Sequence, residues 1–132
     1  MQRIVTLLLI TTAIIFSSNS QGQEKAKWKE MDEFHSVMAA TFHPAEEGKL
    51  EPIKKSSQEM LDKAVSWQRS SAPAGYNKNE VRSSLKKLVK GAKELNKMVK
   101  KNAADNELKE KLSSLHDVFH EIMEKCEKED HI

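Results

Sequence analysis

The sequence predicts an all-α protein, an antiparallel up-down-up-down four-helix bundle. Three observations carry that expectation. Apolar residues recur at alternating steps of three and four through four separate stretches, which is the stripe a helix buries against its neighbours. Short runs of turn formers divide those stretches, so successive helices must reverse direction. Finally, aromatic residues make up only 5% of the chain, and no stretch alternates apolar and polar residues as a half-buried strand would.

Ahead of the helices stands a leader-like segment. Met1-Gln2-Arg3 supplies a positive start, Ile4 to Phe16 is apolar, and Ser17 to Gln23 is small and polar. That is the layout of a secretory signal peptide, and its apolar run is too short to span a bilayer. Residues 1–22 are expected to be removed after Ser20 or Gly22 on export to the periplasm or beyond. Residues 23–132 then form a single domain of ordinary size. No cysteine lies near the cut to carry a lipid, so the product is expected to be free of the membrane. The formal net charge of +2 falls by one with the loss of Arg3, and nothing in that balance calls for nucleic acid. Cys126 is the single cysteine, so the core, not an internal disulfide, must hold the fold. It is open to three readings: a buried thiol, a metal ligand, or a link to a second chain.

The first helix is expected from about Ala26 to Phe42, ending at His43-Pro44 because the residue before proline avoids the helical region. Its seam is Trp28, Met31, His35, Met38 and Phe42. A second helix runs from about Leu50 to Gln68, with Ile53, Ser57, Met60, Ala64 and Trp67 on the seam and Pro52 in the first turn, where a missing N–H costs little. Ser70-Ser71-Ala72-Pro73-Ala74-Gly75-Tyr76 is the central loop. Asn77 or Asn79 caps the third helix, and Asn77 followed by Glu80 has capping-box spacing. The third seam is Val81, Leu85, Leu88, Ala92, Leu95 and Val99. After a break at Ala103-Ala104-Asp105, Asp105 is expected to cap the fourth helix, whose seam is Leu108, Leu112, Leu115, Phe119, Ile122 and Cys126.

The chemistry lies in the histidines. His35 occupies a seam position where a leucine would be expected, with Met31 and Met38 one turn away on either side. His116 and His120 stand one turn apart on the flank of the fourth seam, the spacing used for helical two-histidine chelation, with Met123 and Cys126 following. First and last helices are neighbours of opposite direction. His35 lies about 13 Å from the start of its helix, and His120 and His116 lie about 12 Å and about 18 Å from the end of theirs. The three imidazoles are therefore expected at a common depth. With Met123, Cys126 or another methionine they would suit copper, and with water or a carboxylate they would suit zinc. Alternatively, His35 is a satisfied polar residue, His120 is solvated, and Met31 and Met38 are gap fillers. His43 and His131 are assigned no part in this site.

One further feature is a resemblance. Leu112-Ser113-Ser114-Leu115-His116-Asp117-Val118-Phe119 is similar to the haem-attachment stretch of the cytochromes c-prime, Cys-x-x-Cys-His-Asp-x-Phe, with leucines at both cysteine positions. Gly48-Lys49-Leu50-Glu51-Pro52 resembles the Gly-Glu-Val-Pro turn that opens the second helix in that family. The resemblance implies a left-handed antiparallel bundle, export to the periplasm, and iron held at His116 beside Phe119. Without the two cysteines no thioether links can form. What it then implies is the arrangement of the related soluble haem-b bundle cytochromes, with haem b held non-covalently between a first-helix ligand (Met31, His35 or Met38) and His116.

Three functions follow as expectations. The first is electron transfer through bound haem, with a redox partner protein. The second is a haem-free copper or zinc carrier, and the third a partner-binding bundle with no bound centre. The lysines of the third helix (Lys86, Lys87, Lys90, Lys93, Lys97, Lys100 and Lys101) read as a solvated face, or as a docking patch for an acidic partner or for haem propionates. No nucleophile-with-base arrangement, glycine-rich phosphate loop or paired core carboxylates occur, so an enzyme is not expected. Either a monomer or a homodimer is compatible with the sequence.

Overall fold

A computed structural model describes residues 27–125. The expected leader, Cys126 and His131 lie outside the described residues. Four helices run α1 (Lys29–Glu46), α2 (Glu51–Arg69), α3 (Lys78–Lys100) and α4 (Asp105–Lys125). Each packs against the next, and α4 returns to close on α1, more loosely than the sequential pairs. This is the antiparallel four-helix bundle that the apolar spacing predicts.

The predicted seams of α2, α3 and α4 are the buried ones. Ile53, Ser57, Met60, Ala64 and Trp67 are buried on α2, and Leu108, Leu112, Leu115, Phe119 and Ile122 on α4. On α3 only Val99, at the end of the stripe, is partly exposed. Asn77 caps α3, its side-chain oxygen accepting from the backbone N–H of Asn79 and Glu80. Two turns end in the left-handed conformation that closes a helix by paired backbone bonds. Gly48 has φ +83° and donates to the Ala45 carbonyl, while Lys49 donates to that of Pro44. Asn102, at φ 55°, does the same with Val99, and Ala103 with Met98.

Those closures explain one departure from expectation. Helix α1 does not stop before Pro44 but runs through it to Glu46. Pro44 lies in the last turn, so the hydrogen bond it lacks and any bend it causes fall at the end of the helix, and the stop is set by Gly48. A second departure concerns α4. Asp105 is its first helical residue, not its cap. Its carboxylate pairs with Lys54 of α2 at 2.9 Å, and the Glu107 carboxylate accepts from the backbone N–H of Ala104 at 3.3 Å.

The largest correction falls on α1. His35 is exposed, and the buried line is Phe34, Val37, Met38, Thr41 and Ala45. Two stripes of helical spacing coexist in this segment. At about 100° per residue, Met31, His35 and Phe42 lie some 60–100° round the helix from Phe34. The phenyl ring of Phe34 takes the centre; Trp28 and Met38 of the predicted seam stay in the core, while His35 and Phe42 fall to the flank that looks towards α4.

Trp28, Phe34, Trp67 and Phe119 form the heart of the core. Successive ring centroids lie 5.6 Å apart for Trp28–Trp67, 5.5 Å for Phe34–Trp67 and 5.9 Å for Phe34–Phe119. These separations are those of favourable edge and tilted aromatic pairs. Trp28 Nε1 donates to Ser70 Oγ at 2.8 Å, whereas the buried Trp67 Nε1 finds no acceptor among the described residues. Between α2 and α3, Ser57 Oγ donates to Asn96 Oδ1 and Asn96 Nδ2 to Gln58 Oε1, both at 2.9 Å. A polar chain of this kind inside an apolar interface favours one register over its neighbours.

Helices α3 and α4 approach closely at Gly91. A Cβ built there would lie 2.6 Å from Leu115 Cδ2, and Leu115 is itself buried. Gly91→Val should therefore force the helices apart and destabilise the protein by about 1–3 kcal/mol, a loss to be read in urea denaturation midpoints.

Candidate functional site

Burial of Phe119 sets the rotation of α4 and with it the direction of the histidines. Counting about 100° per residue, Met123, His116 and His120 fall about 40°, 60° and 100° round from Phe119, all on one side. That side is the α4 flank facing α1. His116 lies flat on Phe42, with ring centroids 3.9 Å apart and planes 8° from parallel. His35 stacks on the outer edge of the core through Phe119, at 5.0 Å and 11°. His35 thus meets α4 at Phe119, while His116 meets α1 seven residues further along, at Phe42, and both contacts lie at the edge of the core.

The central contact is between the two imidazoles of α4. His116 Nε2 and His120 Nε2 stand 3.2 Å apart, with ring planes at 77°. One nitrogen donates and the other accepts in that contact, so the accepting ring is neutral while it lasts. On its far side, His120 Nδ1 faces the Glu124 carboxylate at 3.7 Å. A carboxylate in that position favours the proton on Nδ1 and leaves Nε2 with a free lone pair. His43 Nδ1 stands 3.8 Å from Glu46 Oε2, and both side chains act electrostatically on His116.

His116 is held below the usual histidine range, first by burial and then by the neighbouring His120; Asp117 and Glu46 pull the other way. The burial is largely the work of Phe42, whose ring covers one imidazole face.

A bare metal ion fits this pair. An ion about 2.0–2.1 Å from each of two nitrogens 3.2 Å apart subtends an angle of about 100–106° at the metal, close to tetrahedral. Among the described residues no group of three or more His, Cys, Asp or Glu gathers around one point. The pair would thus hold an ion by one edge and leave its other positions to water or a visiting ligand.

A porphyrin does not fit the same residues. The His116 nitrogen that would hold iron stands 3.2 Å from His120 Nε2, inside the space a porphyrin would occupy. Met31 is partly buried elsewhere, its sulfur accepting from the Tyr76 hydroxyl at 3.9 Å. Met38 is fully enclosed in the core. Phe34, Trp67 and Phe119 fill the space between α1, α2 and α4.

Of the residues expected at the site, the fold brings together His116, His120 and Phe119 and sets His35 beside them. Met38 and Met31 are turned to other surroundings. Met123 is partly buried on the same flank. Phe42, Glu124, His43 and Glu46 were not expected at the site. Phe42 was legible in principle, lying two turns beyond His35 on one stripe, and Glu124 lies four residues beyond His120.

Fold and site together define a four-helix bundle with two convergent imidazoles on its α1–α4 flank. No protein-family model, curated protein or solved structure matches this chain, so the functional case rests on these residues.

Two outcomes follow from the His116 environment. A lowered folded-state pKa means that the unfolded chain binds more protons over the titration range. Stability is then full above the ordinary histidine value of about 6.5, and it is lost as pH falls through that value towards the lower folded-state one. Thermal melts from pH 8 to 5 should show that loss, and His116→Gln should flatten it. Phe42→Ala should uncover the ring and move its titration, followed by NMR, back up towards the ordinary range.

Proposed function

We propose that this protein binds a borderline transition-metal ion, Cu(II), Ni(II) or Zn(II), through His116 Nε2 and His120 Nε2, and serves as an exported carrier of that ion. The observation that carries this reading is the 3.2 Å separation of the two nitrogens on one helix. Glu124 behind His120 supports it, because an outer carboxylate orients an imidazole and raises its basicity as a ligand. Imidazole nitrogen suits these three metals better than it suits magnesium or calcium, which take oxygen. Open coordination positions suit a site that exchanges its ion, whereas a structural metal is enclosed by four protein ligands. The leader-like composition of residues 1–22 supports export as part of this reading.

Haem b at His116 with electron transfer to a partner protein is the reading the family resemblance favours. The crowding of the His116 nitrogen by His120 and the filled interior weigh against it.

Calorimetric titration of the purified chain with CuCl2, NiCl2 and ZnCl2 tests the proposal. One ion per chain is expected for at least one metal. Binding should weaken on going from pH 7.5 to 5.5, because protons compete for the same nitrogens. His120→Ala should weaken binding at least tenfold, while Asp117→Asn should leave it within about twofold. At a free-ion concentration a hundred times the dissociation constant, the folded state gains about 2.7 kcal/mol, visible as a raised Tm. Unchanged binding in His120→Ala, or a loss that follows Cys126→Ser instead, overturns the assignment. A hemin titration giving a saturable, shifted Soret band that His116→Ala abolishes would replace it with the haem reading.

A further inference from the structure

A cavity of about 280 Å³ opens at the end of the bundle where α1 begins, α2 ends and α3 begins. Its floor is apolar. Val81 and Leu85 of α3 line it together with Trp28 and Ala72. Val81, Leu85 and Trp28 are each more than nine-tenths buried and present only their outer edge.

The rim is cationic. Lys78 and Arg82, four residues apart on one face of α3, both line the opening, and both are exposed. Neither forms an ion pair among the described residues, unlike Lys54, Lys87 and Lys111, which pair with Asp105, Glu121 and Glu94. No acidic side chain lines the cavity. Ser70 is already committed, since its hydroxyl accepts from Trp28 Nε1 and donates to the Trp67 carbonyl. Gln68 and Ser71 also line the opening and add a neutral amide and a hydroxyl, so the charged groups offered to a ligand are the two cations, beside an apolar floor.

We infer that this cavity is a binding site for a small organic monocarboxylate with an aromatic or branched apolar body. The body rests on Val81, Leu85 and the edge of Trp28, and the carboxylate meets Arg82 and Lys78. A guanidinium fork matches a carboxylate's two oxygens. The cavity volume falls just below the range of about 300–1,000 Å³ typical of sites for drug-sized ligands, so the occupant is smaller, of phenylacetate size. This site is independent of the histidine pair.

The probe is phenylacetate, titrated into the full chain and followed by ¹⁵N–¹H NMR. A saturable shift of the Trp28 indole N–H and of the backbone amides of Ser71, Lys78 and Arg82 is expected, with a millimolar or tighter dissociation constant. Phenethylamine has the same body and the opposite charge, and acetate has the charge without the body. Neither should produce that set of shifts. Arg82→Gln and Lys78→Gln replace exposed side chains, and each should weaken phenylacetate binding at least fivefold with the remaining spectrum unchanged. Absence of a saturable shift overturns the inference, as does equal binding of phenethylamine or acetate, or undiminished affinity in Arg82→Gln. None of these results depends on metal binding.

Discussion

The burial of Phe119 against Phe34 and Trp67 is the constraint on which the rest of the molecule turns. A ring of that size cannot be shared between core and solvent without leaving a void, so it fixes the rotation of α4 about its own axis. With that rotation fixed, positions three before and one after Phe119 must lie on the same flank. His116 and His120 converge for that reason. The same cluster fixes α1 through Phe34 and directs Phe42 and His35 at the two ends of the histidine flank.

Placing the imidazoles beside the core and not within it has an energetic reason. An imidazole enclosed by aromatic rings would leave a ring nitrogen without a partner, whereas one at the edge of the bundle can meet water or a second imidazole. Phe42 covers only one face of His116, enough to disfavour the proton without closing the approach to Nε2. Glu124 and Glu46 bring negative charge near the pair from the solvent side. The flank therefore disfavours the proton on His116 through burial, against the pull of the nearby carboxylates.

Most of the fold was legible because three of the four helices carry one unambiguous stripe. Ile53 to Trp67 and Leu108 to Ile122 have no competing apolar line, and Asn77 has the acceptor chemistry a cap requires. Helix α1 carries two lines, and spacing alone cannot say which one faces inward. The decision was made by the volume of Phe34 and by Thr41, whose hydroxyl is satisfied by the Val37 carbonyl and so tolerates burial. The end of α1 was misjudged because Pro44 is a statistical stop, while the backbone bonds of Gly48 and Lys49 are the physical one. At the site, the helical spacing of His116 and His120 was enough to pair them. The stacking of Phe42 on His116 depends on how α1 sits beside α4, which no local pattern encodes. Met31 reads as a soft ligand from its type and place, yet Tyr76, reached only through the central loop, takes up its sulfur.

The two tryptophans carry an optical consequence. Their indoles meet edge to face at 5.6 Å, enclosed in the core, one with its N–H bonded to a serine hydroxyl and the other with no acceptor among the described residues. Rings so rigidly and asymmetrically held give a strong near-ultraviolet circular dichroism signal and short-wavelength emission. A loosened bundle that kept its helices would lose that signal first. The protein therefore contains its own gauge of tight packing, separate from any measure of helix content.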